Sequence, residues 1–87
     1  MQNKKERLVS LYETLASTQT ALECKRLLED LCTDSELNAM AQRLHAAKML
    51  MEGKTYVQII EATGLSSATL SRISKCVRFG KGYSRLK

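Results

Sequence analysis

Residues 56–73 read YVQIIEATGLSSATLSRI. Gly64 interrupts the stretch, and glycine is the residue that best tolerates the positive φ of a tight turn. Apolar residues on both sides of the glycine recur at helical spacing, which predicts two short helices wedged against each other. The stretch is therefore typical of a helix-turn-helix. The predicted wedge consists of Ile59, Ile60, Leu65, Leu70 and Ile73.

Capping residues predict where these two helices and three further helices begin and end. Thr55 with Gln58, and Thr33 with Glu36, have the spacing of capping boxes, and Ser66 is a good N-cap for the last helix. No sustained alternation of polar and apolar residues predicts a strand, so the expected class is all-α. The predicted helices run from about Lys5 to Ala16, from Ala21 to Cys32, from Thr33 to the C-terminal glycine Gly53, from Thr55 to Thr63, and from Ser66 to Val77.

The chain length predicts one small domain with a marginal core. A chain of 87 residues buries only about 60–65% of the surface that its unfolded form exposes. Dimerisation is a common way to extend such a core. We therefore expect a single domain, 1–87, with a helical dimerisation core at 1–52, the helix-turn-helix at 53–79 and a flexible basic tail at 80–87.

Positive charge is concentrated in the second half of the chain. Residues 1–43 carry six Lys or Arg against seven Asp or Glu, whereas residues 44–87 carry eight against two. From Ser66 onward there are six basic residues and no acidic residue. One-sided positive charge favours a polyanionic partner, and nucleic acid is the commonest one. A module that docks an acidic protein through the same helical hairpin stays open as the alternative.

The outward side of the last helix supplies the candidate DNA contacts. Small side chains allow a helix to enter the major groove, and serine hydroxyls can bond to base edges or phosphates. For base-edge contact we predict Ser67, Ala68 and Ser71, with Thr69 near the groove. For phosphate or base-edge contact we predict Arg72, Lys75 and Arg78, with Lys54 and Lys81 as outer backbone contacts.

Other residues give little support for catalysis or for a metal site. Cys24, Cys32 and Cys76 have no paired spacing and His45 is the single histidine, so we expect no metal and predict buried or half-buried free thiols. No nucleophile–base arrangement or carboxylate pair shares a helix face, so we do not expect an enzyme. The chain has neither an apolar run long enough for a membrane nor a signal-peptide core, which predicts a cytoplasmic protein.

Two runs of residues and a glycine between them carry a family resemblance: Thr33, Glu36, Ala39 and Arg43, then Gly53, then Gly64, Ala68, Thr69, Leu70, Ser71 and Arg72. With these residues, the stretch from about Leu31 to Val77 resembles the Trp repressor superfamily, and the whole chain is most similar to its YerC/YecD-type branch. This resemblance implies an intertwined, all-helical homodimer that acts as a transcriptional regulator, expected to be a repressor. Its two helix-turn-helix heads would lie one DNA turn apart, about 34–36 Å.

The same resemblance implies a candidate ligand pocket. Arg43 and Arg72 match the two arginines that sandwich tryptophan in the repressor, and Thr33 and Thr69 match nearby threonines. Ile73 stands in place of a pocket glycine, and its branched side chain takes volume that an indole needs, which argues against tryptophan. Cys76 stands in place of a serine that helps to hold the amino group of the ligand. A different small-molecule corepressor, or none, stays open.

The role of Arg43 has a plainer alternative. On an exposed helix surface this arginine can form a salt bridge with Glu36 or Asp34, in its own chain or in a partner.

Overall fold

Five α-helices follow one another along the chain, and no strand occurs in residues 3–86, the part that this computed structural model describes. The all-α prediction is confirmed, and the predicted helix ends lie within about two residues of the observed ones, the usual spread of boundary assignments. The helices are α1 (Lys4–Ala16), α2 (Ala21–Leu31), α3 (Asp34–Met51), α4 (Tyr56–Thr63) and α5 (Ser67–Phe79), followed by a short 3₁₀ helix (Tyr83–Leu86).

Reciprocal hydrogen bonds begin α3 and α4, as the two predicted capping boxes require. The Thr33 backbone N–H donates to Glu36 Oε1 at 2.9 Å, and the Glu36 N–H donates to Thr33 Oγ1 at 3.1 Å. The Thr55 N–H donates to Gln58 Oε1 at 2.9 Å, and the Gln58 N–H donates to Thr55 Oγ1 at 3.2 Å. Each pair satisfies two backbone donors near the start of its helix.

The chain divides into two units, Met1–Leu37 and Asn38–Lys87. The second unit holds the buried core, to which α3 contributes two fully buried alanines from its second half. This boundary lies inside α3, whereas the sequence predicts a division between residues 52 and 53. The difference arises because the second half of α3 packs with the two helices that follow it. The buried apolar residues are Ala46, Ala47, Ile59, Leu70, Ile73 and Val77.

The first unit leaves its apolar side chains in contact with solvent. Neither α1 nor α2 contains a buried residue. Tyr12 is 60% exposed, and Leu22 and Leu31 are each 52% exposed. Apolar surface in water costs roughly 25 cal/mol per Å² relative to burial. The apolar stripes of these helices are therefore available for burial against another surface.

The capping box of α3 predicts a pH dependence of stability. The backbone N–H of Thr33, and secondarily its side chain, hydrogen-bond the Glu36 carboxylate and lower its pKa. Because the pKa of Glu36 is lower in the folded state, its ionised carboxylate stabilises the fold at pH values above the unfolded-state pKa. This contribution to stability is lost as the pH falls through the folded-state pKa. Glu36→Gln keeps the acceptor oxygen but does not titrate. We expect the stability difference between wild type and Glu36→Gln, measured by urea unfolding, to shrink between about pH 7 and about pH 3. A constant difference over that range would contradict the assignment.

Candidate nucleic-acid interface

Gly64 ends α4 and turns the chain toward α5. It adopts the left-handed conformation, with φ of 73°, and its N–H donates to the Ile60 carbonyl oxygen at 2.8 Å. A Cβ built at this position would meet no atom within 4 Å. The backbone angle, and not a lack of space, therefore favours glycine here, because a side chain at positive φ is strained. The predicted glycine turn is confirmed.

Thr63 links the turn to the core through a hydroxyl group that the sequence analysis overlooked. The side chain is buried, and its Oγ1 donates to the Ile59 carbonyl oxygen at 2.7 Å. The same oxygen accepts from the Leu65 N–H at 3.3 Å. A threonine directly before the turn glycine is the signal that could have identified it, since threonine hydroxyls often bond the carbonyl one helical turn earlier.

Ser66 begins α5 and holds Thr69 against the start of that helix. The Ser66 Oγ accepts from the Thr69 N–H at 3.2 Å and donates to Thr69 Oγ1 at 3.0 Å. The Thr69 side chain is half-buried. It therefore lies on the flank of α5, while the serines at 67 and 71 are exposed on its outer side.

All five predicted wedge residues lie on the inward side. Ile59 and Leu70 are fully buried and Ile73 is 4% exposed, whereas Ile60 and Leu65 are half-buried and pack against the same cluster. The prediction of the wedge is thus confirmed. Ser74 and Val77 are also buried on this side of α5.

The opposite side of α5 is exposed, basic and free of acidic residues. At about 100° per residue, its exposed predicted contacts cover about 140° of the helix circumference, and from first to last they span about 16 Å along the axis. The last acidic residue of the sequence is Glu61, before the turn. Lys54 and Lys81, outside the helix, are also exposed. The exposed contacts on α5 are Ser67, Ala68, Ser71, Arg72, Lys75 and Arg78.

A cleft of about 530 Å³ lies beside this outer face. Five of the six residues of the predicted ligand pocket border it. Thr33, the sixth, instead caps α3. Ile73 is nearly buried at the cleft. Cys76 is exposed, which corrects the prediction of a buried or half-buried thiol, whereas Cys24 and Cys32 are half-buried. The lining residues are Ala39, Arg43, Leu65, Thr69, Arg72, Ile73, Cys76 and Tyr83.

Arg43 borders this cleft and has no acidic partner among residues 3–86. Its Nε donates to the Ala39 carbonyl oxygen, one turn earlier on α3, at 3.3 Å. Within residues 3–86 the single ion pair joins Lys25 and Glu29, at 3.3 Å between Nζ and Oε1. A salt bridge from Arg43 to Glu36 or Asp34 of the same chain is therefore absent. The cleft carries two guanidinium groups and no carboxylate in its lining.

The tail after α5 is partly folded, although the sequence predicted a flexible basic segment at 80–87. Residues 83–86 form a 3₁₀ helix, and the half-buried ring of Tyr83 packs against the core cluster. The sequence did not predict this folded part of the tail, because the local pattern of glycines and charges gives no sign of a contact with the core.

Comparison with known proteins places this geometry in a family. Residues 6–85 match the sequence family of the Trp repressor protein. The Bacillus subtilis (strain 168) protein named Uncharacterized protein YerC is 44% identical over 73 residues, which cover 84% of this chain and 70% of that protein. The chain belongs to the Trp repressor family, as the resemblance seen in the sequence predicted.

Two solved structures share the fold. A TrpR-like protein from Eubacterium eligens ATCC 27750 superposes with a TM-score of 0.88 at 37% identity, over 95% of this chain and 87% of that chain. The crystal structure of a candidate Trp repressor from Staphylococcus aureus gives a TM-score of 0.84 at 33% identity, over 92% of this chain and 81% of that chain.

In the part of the chain that the structure describes, no helix is long and apolar enough to cross a membrane.

The two hydrogen bonds of Thr63 predict a stability cost for Thr63→Val. Valine keeps the shape of the side chain but removes the hydroxyl and its bond to the Leu65 N–H, so we expect a loss of about 1–2 kcal/mol in unfolding free energy. Thr14→Val is the matched control, because the Thr14 Oγ1 makes the same bond to a carbonyl one turn earlier, at 2.7 Å, but is exposed. Chemical denaturation measures both variants. Equal stability losses would show that the Thr63 hydroxyl plays no special part in the turn.

Proposed function

We propose that this protein is a sequence-specific DNA-binding transcriptional regulator, acting as a repressor, which reads duplex DNA through a helix-turn-helix formed by α4, the turn at Gly64 and α5. The observation that carries the proposal is the division of α5 into two sides. The inner side is buried in the core, and the outer side presents serines, an alanine and basic residues to solvent. A helix packed in this way is fixed in its rotation, so the same side chains always face outward.

The residue types on the outer side suit entry into a major groove. The groove is about 12 Å wide, and an α-helix with its side chains is about 10–12 Å across. Ser67, Ala68 and Ser71 keep the first half of α5 slender, and the two hydroxyls can bond base edges or phosphates. Arg72 can form paired hydrogen bonds with guanine, and Lys75 can neutralise phosphates.

A second copy of the chain is the proposed partner of the first unit. Neither α1 nor α2 contains a buried residue, and large apolar side chains on both helices are exposed. The buried apolar core described above contains only residues of the second unit, so the stability of the whole chain would benefit from further burial. Membership of the Trp repressor family supports an intertwined homodimer with two helix-turn-helix heads. Two heads about 34–36 Å apart would contact half-sites one DNA turn apart.

The cleft beside α5 is the proposed position of any small-molecule corepressor. Arg43 and Arg72 supply positive charge there, which suits a ligand with a carboxylate or another anionic group. The branched side chain of Ile73 leaves less room for an indole than a glycine would. We therefore do not propose tryptophan, and we assign no metal, cofactor or catalytic step. We expect the regulator to act in the cytoplasm.

Salt titration tests the DNA-binding proposal directly. Each phosphate contact made by Lys or Arg releases counterions, so log K should fall linearly with log salt concentration, and losing one contact should reduce the slope by about one. If Arg72 contacts a base edge, we expect Arg72→Ala to weaken binding to a duplex selected from a random pool by about 1–3 kcal/mol. Fluorescence anisotropy over a salt series measures both quantities.

Arg26→Ala is the matched control for Arg72→Ala. Arg26 is an exposed arginine on α2, outside the helix-turn-helix, so its loss should leave the affinity for the duplex nearly unchanged. If Arg72→Ala and wild type have equal affinity and an equal slope of log K against log salt concentration, Arg72 does not contact the DNA. If the wild type does not bind duplex DNA at low salt, the DNA-binding proposal fails, and a search for an acidic protein partner becomes the next experiment.

The dimer proposal predicts that a charge on the apolar stripe of α1 dissociates the two chains. Leu8 lies on the same face of α1 as Leu11, Tyr12 and Leu15 and is exposed, so Leu8→Asp should place a charge in the proposed interface. Ser10→Asp adds the same charge on the polar flank of α1, where Ser10 lies with Glu6 and Glu13. Sedimentation velocity should show a dimer for wild type and Ser10→Asp, and a monomer for Leu8→Asp. A monomeric wild type would refute the homodimer.

A further inference from the structure

Three hydrogen-bond donors border the cleft beside α5, and among the described residues none of them has an acidic partner. The Nε of Arg43 donates to the Ala39 carbonyl oxygen, and this bond leaves both Nη groups of that arginine available. Arg72 brings a second guanidinium group. The Oγ1 of Thr69 accepts from Ser66 Oγ at 3.0 Å, so the Thr69 hydroxyl hydrogen stays available to donate. The cleft therefore offers donors and positive charge, which suit an oxyanion.

The lining of the cleft changes from apolar to cationic as its residues become more exposed. Ile73 is only 4% exposed, whereas the two arginines are exposed. Leu65 and Thr69 are half-buried. An anion that binds at the arginines does not have to enter the apolar part of the cleft. The site therefore suits an anionic group that belongs to a larger molecule and approaches from solvent.

The cleft continues the proposed DNA-binding surface around α5. At about 100° per residue, the exposed contacts of α5 form an arc that ends at Arg72, and Cys76 and Thr69 follow within about 60° beyond that end. Arg43 adds a charge from α3, the other long helix that lines the cleft. A helix that lies in the major groove has a sugar-phosphate backbone on each of its flanks. The cleft therefore lies on a flank of α5 that would face a backbone phosphate.

We propose that the cleft beside α5 holds a phosphate group of the DNA backbone, so that Arg43, on α3 and outside the helix-turn-helix, is a DNA contact. This inference rests on the proposed DNA-binding function. The Arg43 guanidinium and the Thr69 hydroxyl donate to the phosphate oxygens, and Arg72 adds positive charge beside them. A free phosphate or carboxylate has the same chemistry. The position of the cleft at the edge of the DNA-binding surface favours the phosphate that belongs to the DNA.

The first measurement compares Arg43→Gln with wild type, using the full chain and the duplex that the wild type selects from a random pool. Loss of one phosphate contact should lower the slope of log K against log salt concentration by about one for each bound chain. The same loss corresponds to roughly eightfold weaker binding per chain at about 0.1 M salt and to almost no change near 1 M. A scrambled duplex of the same length should show the same fold-change, because phosphate contacts carry no sequence information.

Lys48→Gln is the matched control, because Lys48 is an exposed cation of the same helix that does not border the cleft. This variant removes the same charge and should change neither the slope nor the affinity. Arg43→Lys keeps the charge and should keep the slope, and circular dichroism checks that each variant is folded. If Arg43→Gln matches wild type, or if Arg43→Gln and Lys48→Gln lose affinity equally, the proposal is overturned.

Neutral methylphosphonates, placed one at a time along each strand of the duplex, identify the contacted phosphate. At that position the substitution should weaken binding by wild type and have little further effect on Arg43→Gln, because both changes remove the same contact. If every substitution weakens the two proteins equally, Arg43 contacts no phosphate and the inference is wrong. Inorganic phosphate, added at constant ionic strength, tests for a free anion. If it strengthens DNA binding by wild type but not by Arg43→Gln, the cleft holds a free ion and the assignment to a DNA phosphate is wrong.

The outcomes separate this inference from the DNA-binding proposal. If wild type binds the duplex and folded Arg43→Gln binds it with the same affinity and slope, the inference fails while the helix-turn-helix stays the proposed DNA-binding element. If wild type binds no duplex at low salt, the proposed function fails, and the phosphate contact of Arg43 fails with it.

Discussion

The structure depends on the wedge of buried aliphatic residues around the left-handed turn at Gly64. This turn sets the direction of α5 after α4, and the burial of Ile59 and Leu70 fixes how far α5 is rotated about its axis. Thr63 adds two hydrogen bonds that satisfy backbone groups at the junction. Because one side of α5 is buried in the core, the other side forms a rigid exposed surface. The proposed recognition of DNA needs such a surface, since a helix free to rotate could not keep its serines toward base edges.

The two units of the chain differ in how they gain stability. The second unit buries a small aliphatic core in which two alanines of α3 allow close approach of helices. The first unit has helices with good caps but no buried side chain. Helices of this length are marginal in water unless an apolar face is covered. The proposed homodimer would meet that need, and it would place two recognition helices on one body, which links the stability of the fold to the spacing of its DNA contacts.

The cleft beside α5 adjoins the proposed DNA-binding surface. Arg72 borders the cleft and is also exposed on the outer side of the helix. Tyr83, from the segment after α5, also borders this cleft.

Local chemistry made much of this architecture predictable from the residues alone. Capping boxes at Thr33 and Thr55, the glycine turn and the wedge are short-range features, because each depends on residues within one or two helical turns. The exposed basic side of α5 followed from the same periodicity, and motif spacing indicated the family. By contrast, the burial of Ala46 and Ala47 with α4 and α5, the exposure of Cys76 and the inward position of Tyr83 came only from the folded chain. These features arise from contacts between segments that are separate in sequence, and local patterns carry no information about which of two nearby aromatic residues packs against the core.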